Sequence, residues 1–220
     1  NRYTVLVDAE TGEVLLRLGA GGICGSDLHY YFEGRNGSFV VREPLIPGHE
    51  ASATVESVGP GVTRVKKGDR VAVSPSHACG RCEGCRQGRE QLCSAMRFLG
   101  SASLFPHVQG MFRELFVMGE RQCYPVAGDV SLGELAFAEP LAVALHAVSR
   151  GGDLLGKSVL VTGAGTIGCL TVMAARLAGA SDKRIIFKHI LPNSVGVITV
   201  NLTLLLAAAV LLETALSYLG

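Results

Sequence analysis

With 220 residues, 48% of them hydrophobic and 18% charged, the chain carries enough apolar side chain to bury at least one core, which excludes a disordered tail. Its net charge of +1 excludes the basic field that nucleic-acid binding requires, so nucleic acid is not an expected partner. Twenty-eight glycines and the absence of tryptophan predict a turn-rich, strand-rich first half.

The sequence starts at Asn1, and Arg2 to Asp8 lacks the charged, apolar and small-residue zones of a targeting peptide, so the chain is read as a fragment at its start. Short alternating or β-branched segments follow at Arg2 to Val7, Glu13 to Leu18, Ala53 to Val58 and Arg70 to Val73. Glu10-Thr11-Gly12, Gly59-Pro60-Gly61 and Lys67-Gly68-Asp69 punctuate them as turns. This pattern predicts a small antiparallel barrel or sandwich.

Two loops between these strands are too polar to be explained by packing. The first runs from Gly21 to His29 and holds Cys24, Ser26 and Asp27; the second is Pro47-Gly48-His49-Glu50. A thiolate, an imidazole and a carboxylate from separate loops can hold one zinc ion and leave a position open, the pattern of a catalytic site. Taken singly, Cys24 reads as a small buried hydrophobe, His49 as a hydrogen-bonded loop histidine and Glu50 as a solvated charge. Their conjunction carries the metal reading. Asp27 also reads as a turn residue bonding its own backbone.

Cys79, Cys82, Cys85 and Cys93 follow at spacings of two, two and seven intervening residues, with Gly80, Gly84 and Gly88 between them. The glycines allow a fold tight enough to aim four sulfurs at one point, and a closed four-thiolate zinc site of structural type is expected. Two disulfides and an iron–sulfur cluster are the alternatives. Seven cysteines cannot all pair, and the spacing differs from ferredoxin runs, which end in a short gap and a proline.

Met96 to Met111 contains Phe98 and His107, which read either as pocket residues or as part of an aromatic loop covering the core. Cys123 fits no motif and reads as a packed strand cysteine. Ser131 to Arg150 reads as helix: Ser131 is an N-cap candidate and Glu134 follows at capping-box spacing. Pro140 should break or kink it near Glu139. A carboxylate presented among Phe137, Leu141 and Val143 calls for a cation, which marks Glu139 as a candidate ligand. His146 lies on the apolar face and reads as a satisfied core histidine.

The order Gly-Ile-Cys-Gly-Ser-Asp-Leu-His, Gly-His-Glu, Val-Gly-Pro-Gly-Val, Lys-Gly-Asp-Arg-Val and the four-cysteine loop resembles the zinc-dependent medium-chain alcohol and polyol dehydrogenases. Gly-Ser-Asp-Leu-His-Tyr-Tyr and Ala-Glu-Pro-Leu-Ala-Val-Ala-Leu-His-Ala are most similar to the sorbitol and L-idonate 5-dehydrogenase branch, and the resemblance covers roughly residues 10 to 181. It implies a GroES-like barrel domain over residues 1–150 and two zinc ions per chain. It implies Cys24 and His49 as catalytic zinc ligands, with Glu139 or Glu50 as the third. Glu50 takes either a direct or a supporting place beside the metal. It further implies Ser26 as the relay for the substrate hydroxyl proton and His29 as its exit to solvent. Matching family members are cytoplasmic, associate as homo-oligomers and oxidise a polyol or sugar-acid substrate with NAD or NADP.

Lys157 to Thr162 has a short buried-strand pattern, followed by Gly163-Ala164-Gly165-Thr166-Ile167-Gly168 and a helical apolar run to Ala178. A strand, this glycine spacing and a helix together form the dinucleotide fingerprint, with Gly163, Gly165, Thr166, Ile167 and Gly168 as cofactor-binding candidates. The acidic residue expected about 20 positions on, at the end of a second strand, is missing. An incomplete α/β Rossmann domain is therefore read over 151–181, with little activity expected from this chain alone.

From Ile190 to Leu212 no residue is charged, and Lys183, Arg184 and Lys188 precede the run. An apolar helical tail able to span an inner membrane, within residues 190–219, is expected. Ala174-Ala175, Gly179 and His189-Ile190-Leu191-Pro192-Asn193 resemble the cytoplasmic coupling loop of dipeptide-type ABC transporter permeases. Residues 182–220 are read as a permease-like segment, and the whole as a chimera of a dehydrogenase and a permease fragment. A permease component and a zinc-bound inactive remnant are the alternative functions.

Overall fold

The computed structural model describes residues 12–180. The strand read at Arg2 to Val7, and the membrane span expected in the tail from residue 181 onward, lie outside the described residues. Among the described residues, no helix is long and apolar enough to cross a membrane. Two compact units divide between Glu139 and Pro140.

The first unit opens with β1 (Glu13–Gly22), α1 (Gly25–Glu33) and the small strands β2 (Arg35–Asn36) and β3 (Phe39–Val40). It continues with β4 (Glu50–Val58), β5 (Arg70–Val73), β6 (Ser76–His77), α2 (Glu83–Arg86) and β7 (Arg97–Phe98). β8 (Leu115–Gly119), β9 (Cys123–Pro125) and α3 (Leu132–Ala136) complete it. The main sheet is antiparallel, in the order β8-β1-β4-β5-β9.

Its edge strands are consecutive in sequence, joined only by Glu120–Gln122. Laid flat, five strands would set those edges about 19 Å apart. Four residues of chain from Gly119 to Cys123 reach about 14 Å at most. The sheet must therefore curl toward closure, as the barrel expectation requires. Register irregularities in β1 against β4, between Leu15 and Leu16 and between Leu18 and Ala20, supply local bends that help it do so.

Strand alternation sends Val14, Leu16, Ala51, Ala53, Val55, Val71, Val73, Phe116, Met118 and Cys123 into one core. The opposite face is closed locally by α3: the buried Ser52 hydroxyl donates to Leu132 O at 2.6 Å, and Gly19 leaves room for the Leu132 side chain. Cys123 is the packed strand cysteine expected, and burial pushes its thiol up to about 12. Cys169, in the second unit, is exposed. Brief maleimide treatment of the native, metal-loaded chain is expected to label Cys169 and spare Cys123 until denaturant is added. Equal labelling rates by mass spectrometry would contradict this packing.

A carboxylate ties the outer turn to the barrel. Glu120 Oε2 accepts from Thr63 N at 2.8 Å and Arg64 N at 3.0 Å, and these two bonds, Thr63 first, lower its pKa from 4.5. A depressed folded-state value means the contribution is present above about 4.5 and is lost as pH falls through the lower folded value. Glu120→Gln should therefore flatten the acid limb of a stability-versus-pH curve below about pH 4.5. An unchanged acid limb would show the tie to be dispensable.

Several boundaries differ from the sequence reading. β1 runs on to Gly22 and β4 begins at Glu50, so the second polar loop feeds directly into a strand. The Ser131–Glu134 capping box forms as expected, with Glu134 N donating to Ser131 Oγ at 3.2 Å and Ser131 N to Glu134 Oε2 at 2.8 Å. The helix ends at Ala136 with Phe137 as its C-cap, and α4 (Ala138–Arg150) starts afresh, so the break falls two residues before Glu139. Pro140 is the third residue of α4, where a missing N–H leaves no intrahelical bond unmade. His146 is exposed, a correction to its reading as a core histidine: α4 buries Pro140 and Ala144, and a residue two positions beyond Ala144 points elsewhere.

In the second unit, Leu154, Ala175 and Ala180 form a small cluster with Val148, Val159 and Val172. α5 (Thr166–Leu177) follows the glycine-rich turn as expected. Lys157 to Thr162 forms no strand, a correction with a simple cause. A strand exists only through ladder bonds to a neighbour, and no described segment lies alongside; Leu160 is left 56% exposed.

Candidate metal centres

The antiparallel register of β1 with β4 places Gly22 opposite Glu50. Cys24 stands two residues beyond the end of β1's pairing, and His49 immediately before β4. This brings one ligand atom each from Cys24, His49 and Glu50 within 4.8 Å of one another. His49 is buried, and Cys24 and Glu50 are half-buried. A Cβ on Gly22 would meet the Glu50 carboxylate and force that side chain to shift.

Asp27 organises this centre, and the sequence reading did not see its reach. Its buried carboxylate accepts from Cys24 N through Oδ2 at 3.0 Å and from Gly48 N through Oδ1 at 3.0 Å. Oδ1 also lies 3.7 Å from His49 Nδ1, a buried nitrogen without a hydrogen-bond partner among the described residues. Facing Asp27 with Nδ1 leaves Nε2 as the nitrogen able to face a cation. The spacing Cys24-x-x-Asp27 signals the local bond to Cys24. The bond to Gly48 is 21 residues away and depends on the tertiary fold.

Aromatic rings flank the same centre. Phe98 lies against His49 with ring centroids 5.3 Å apart. The Phe112 ring fills the space that a side chain at Gly21 or Gly48 would need. Gly48 has φ +95°, a conformation that side-chain-bearing residues rarely adopt. His107 is buried and does not join the centre: Nε2 accepts from Arg42 N at 2.8 Å and Nδ1 donates to Leu104 O at 2.7 Å.

Ser26 lies in the first turn of α1, and His29 follows three residues later on the same face. His29 is exposed and its Nδ1 meets Glu33 Oε1 at 2.8 Å. The helix thus carries a hydroxyl, an imidazole and a carboxylate on one face, at Ser26, His29 and Glu33. Glu139 stands outside the three-ligand group. Burial, and then the charge of Glu50, push its pKa up to about 7, so the two carboxylates are electrostatic neighbours.

The second centre gathers Cys79, Cys82, Cys85 and Cys93, whose sulfurs also lie within 4.8 Å of one another. Sulfurs at tetrahedral corners around a metal with bonds of about 2.3 Å lie about 3.8 Å apart. The Cys82–Cys85 and Cys79–Cys85 separations of 3.4 and 4.0 Å bracket that value. All seven cysteines are free, which sets the disulfide alternative aside. Backbone N–H groups favour the thiolate at two of the four, those of Cys85 and Ser94 lowering Cys82 to about 5 and those of Arg81 and Cys82 lowering Cys79, whereas burial, then the neighbouring Cys82 sulfur, pushes Cys85 up to about 12. Gly80 and Gly88 have φ +70° and +71°, and a side chain on Gly84 would press on Leu92 O at 2.9 Å.

In the second unit, Gly163 has φ +99° and Gly165 caps α5 without a side-chain bond. A Cβ on Gly168 would overlap the Gly163 carbonyl, so the turn and helix pack at glycine-only distance. Cβ positions on Gly163 and Gly165 meet open space, which leaves the helix N-terminus approachable by an anion.

Residues 10–128 match the family model of the alcohol dehydrogenase GroES-like domain. Residues 171–220 match that of the binding-protein-dependent transport system inner membrane component. The chain is 40% identical over 190 residues to L-idonate 5-dehydrogenase (NAD(P)(+)) of Escherichia coli, covering 86% of this chain and 54% of the relative. It is 41% identical over 173 residues to sorbitol dehydrogenase of Bacillus subtilis, covering 79% and 48%. The crystal structure of Escherichia coli L-idonate 5-dehydrogenase superposes with a TM-score of 0.74 at 42% identity, covering 78% of this chain and 49% of that one. The chain thus spans about half the length of the curated relatives it matches. Its strand order, its two clusters of ligand atoms and these matches agree: the chain belongs to the alcohol dehydrogenase GroES-like domain family.

Proposed function

We propose that residues 1–150 form the zinc-binding catalytic part of a polyol or sugar-acid dehydrogenase, which oxidises a secondary alcohol to a ketone and passes hydride to NAD or NADP. The convergence of Cys24, His49 and Glu50 carries this reading. Cys24, His49 and Glu50 would hold the catalytic zinc, with Glu139, whose charge is coupled to that of Glu50, as the alternative carboxylate ligand. Cys79, Cys82, Cys85 and Cys93 would hold a structural zinc. Residues 151–181 begin a nucleotide-binding domain, in which Gly163, Gly165, Thr166, Ile167 and Gly168 would receive the cofactor pyrophosphate.

A zinc ion supplies Lewis-acid polarisation of a hydroxyl oxygen, and a nicotinamide ring supplies the hydride acceptor. This chain's own residues do the rest. Asp27 keeps the His49 ring oriented and ties the two ligand loops together. Ser26 takes the hydroxyl proton, and His29, paired with Glu33 at the surface, passes it to solvent. Phe98 excludes water beside His49.

Elemental analysis tests the reading first. The purified chain is expected to carry two zinc equivalents, and His49→Ala one. Reduction of NAD or NADP is then followed with L-idonate, sorbitol and xylitol. A wild-type chain with a single zinc, or His49→Ala with both, would overturn the assignment.

A second reading is favoured by the match of residues 171–220 to a transport-system membrane component. Under it, residues 182–220 are a permease-like segment and the chain is a chimera with inner-membrane association. One uninterrupted nucleic-acid read spanning the codons from Gly163 to Asn193, together with the protein's recovery in membranes, tests this. Absence of such a read removes the reading.

A further inference from the structure

The segment from Arg42 to Gly48 delivers His49 to the first centre, yet it has no helix or strand of its own. Pro44 and Pro47 lack N–H groups, so few donors can set its register. Its last three carbonyls are taken by a facing segment: Gly110 N donates to Ile46 O at 2.7 Å, Phe112 N to Pro47 O at 3.1 Å and Met111 N to Gly48 O at 2.9 Å. Upstream of this point a side chain takes over. Gln109 Oε1 accepts from Ile46 N at 2.7 Å while its Nε2 donates to Pro44 O at 3.1 Å.

Both partners are main-chain groups of opposite polarity, so the orientation of the carboxamide follows from them. One donor and one acceptor two residues apart are what a neighbouring strand would offer. Gln109 therefore extends the ladder that the backbone of 110–112 begins. His107 continues it once more, through Arg42 N.

We propose that Gln109 is a positioning residue for the metal centre of Cys24, His49 and Glu50: its carboxamide locks Pro44 and Ile46 in register and so sets where His49 arrives. The inference rests on the proposed function, in taking that cluster as a metal site. Gln109 acts through the backbone of residues 44–48, and Asp27, which holds Gly48 N, acts from the other side.

The test is a cobalt(II) titration of the metal-stripped full chain, in which a four-thiolate site and a mixed sulfur, nitrogen and oxygen site give separate absorption bands. Gln109→Met keeps the side-chain length and removes both bonds. It is expected to weaken the mixed site about tenfold, the lower end of effects for groups supporting a ligand from behind. The four-thiolate site should be unchanged. Gln109→Glu retains the acceptor for Ile46 N and should fall between Gln109→Met and wild type. Unchanged affinity at the mixed site overturns the inference, and so does equal weakening of both sites, the mark of a general loss of packing. A wild-type chain that binds cobalt only at the four-thiolate site overturns the proposed function, and this inference with it.

Discussion

Cys93→Ser is expected to remove one of the two metal equivalents and open the loop from Cys79 to Cys93, while the metal at Cys24, His49 and Glu50 stays. Cys93 is the buried member of the four, and α2, which carries Cys85, buries no residue at all. Among the described residues no apolar cluster includes this lobe, so under the proposed function the metal is what holds it. Structural zinc sites supply folding free energy outright, about 10–16 kcal/mol in small zinc-binding peptides. Loss of even about 3 kcal/mol raises the population of the open loop roughly 100-fold, and proteolysis follows that population. Trypsin cleavage after Arg81, Arg86 and Arg89, all exposed, should accelerate by at least that factor. Wild-type cleavage rates in Cys93→Ser would show that packing alone maintains the lobe.

Gly48→Ala is expected to be the most damaging small substitution near the first centre. Its Cβ would enter the Phe112 ring, and alanine would have to adopt φ +95°. The backbone strain costs about 1–3 kcal/mol and the overlap about as much again. Because Gly48 precedes His49 and donates to Asp27, the displacement passes straight to the ligand. Metal affinity at this centre should fall about 10- to 100-fold. Adding Phe112→Leu relieves the overlap but not the strain, so it should restore part of the loss. If the double variant is no better than Gly48→Ala, overlap with the ring is not the cause.

The candidate ligands were legible because donor chemistry is written in residue type. Cysteines at short spacing with glycine between them have few other uses, and a cysteine, a histidine and a glutamate in polar loops between strands narrow the choice further. The supporting residues were not legible in the same way. Asp27 read as a turn residue because its bond to Cys24 is local, whereas its bond to Gly48 spans 21 residues. Gln109 and Phe112 have no distinctive chemistry; what they do depends on which main-chain atoms face them. Glu139 was marked as a candidate ligand, yet it stands outside the three-residue group, and its electrostatic coupling to Glu50 came only from the fold.

By itself, the sequence determined the antiparallel strands of the first unit, the capping box at Ser131, the convergence of the four cysteines and the glycine-rich turn before α5. Each follows from local rules: side-chain alternation, a cap three residues from its partner, ligand spacing and positive φ. Only the tertiary structure decided that Gly22 faces Glu50, that Asp27 joins two loops and that Lys157 to Thr162 is not a strand. Those outcomes depend on which distant groups meet. A hydrogen-bond ladder, a shared carboxylate and a ligand cluster all come into being only when separate segments are brought together.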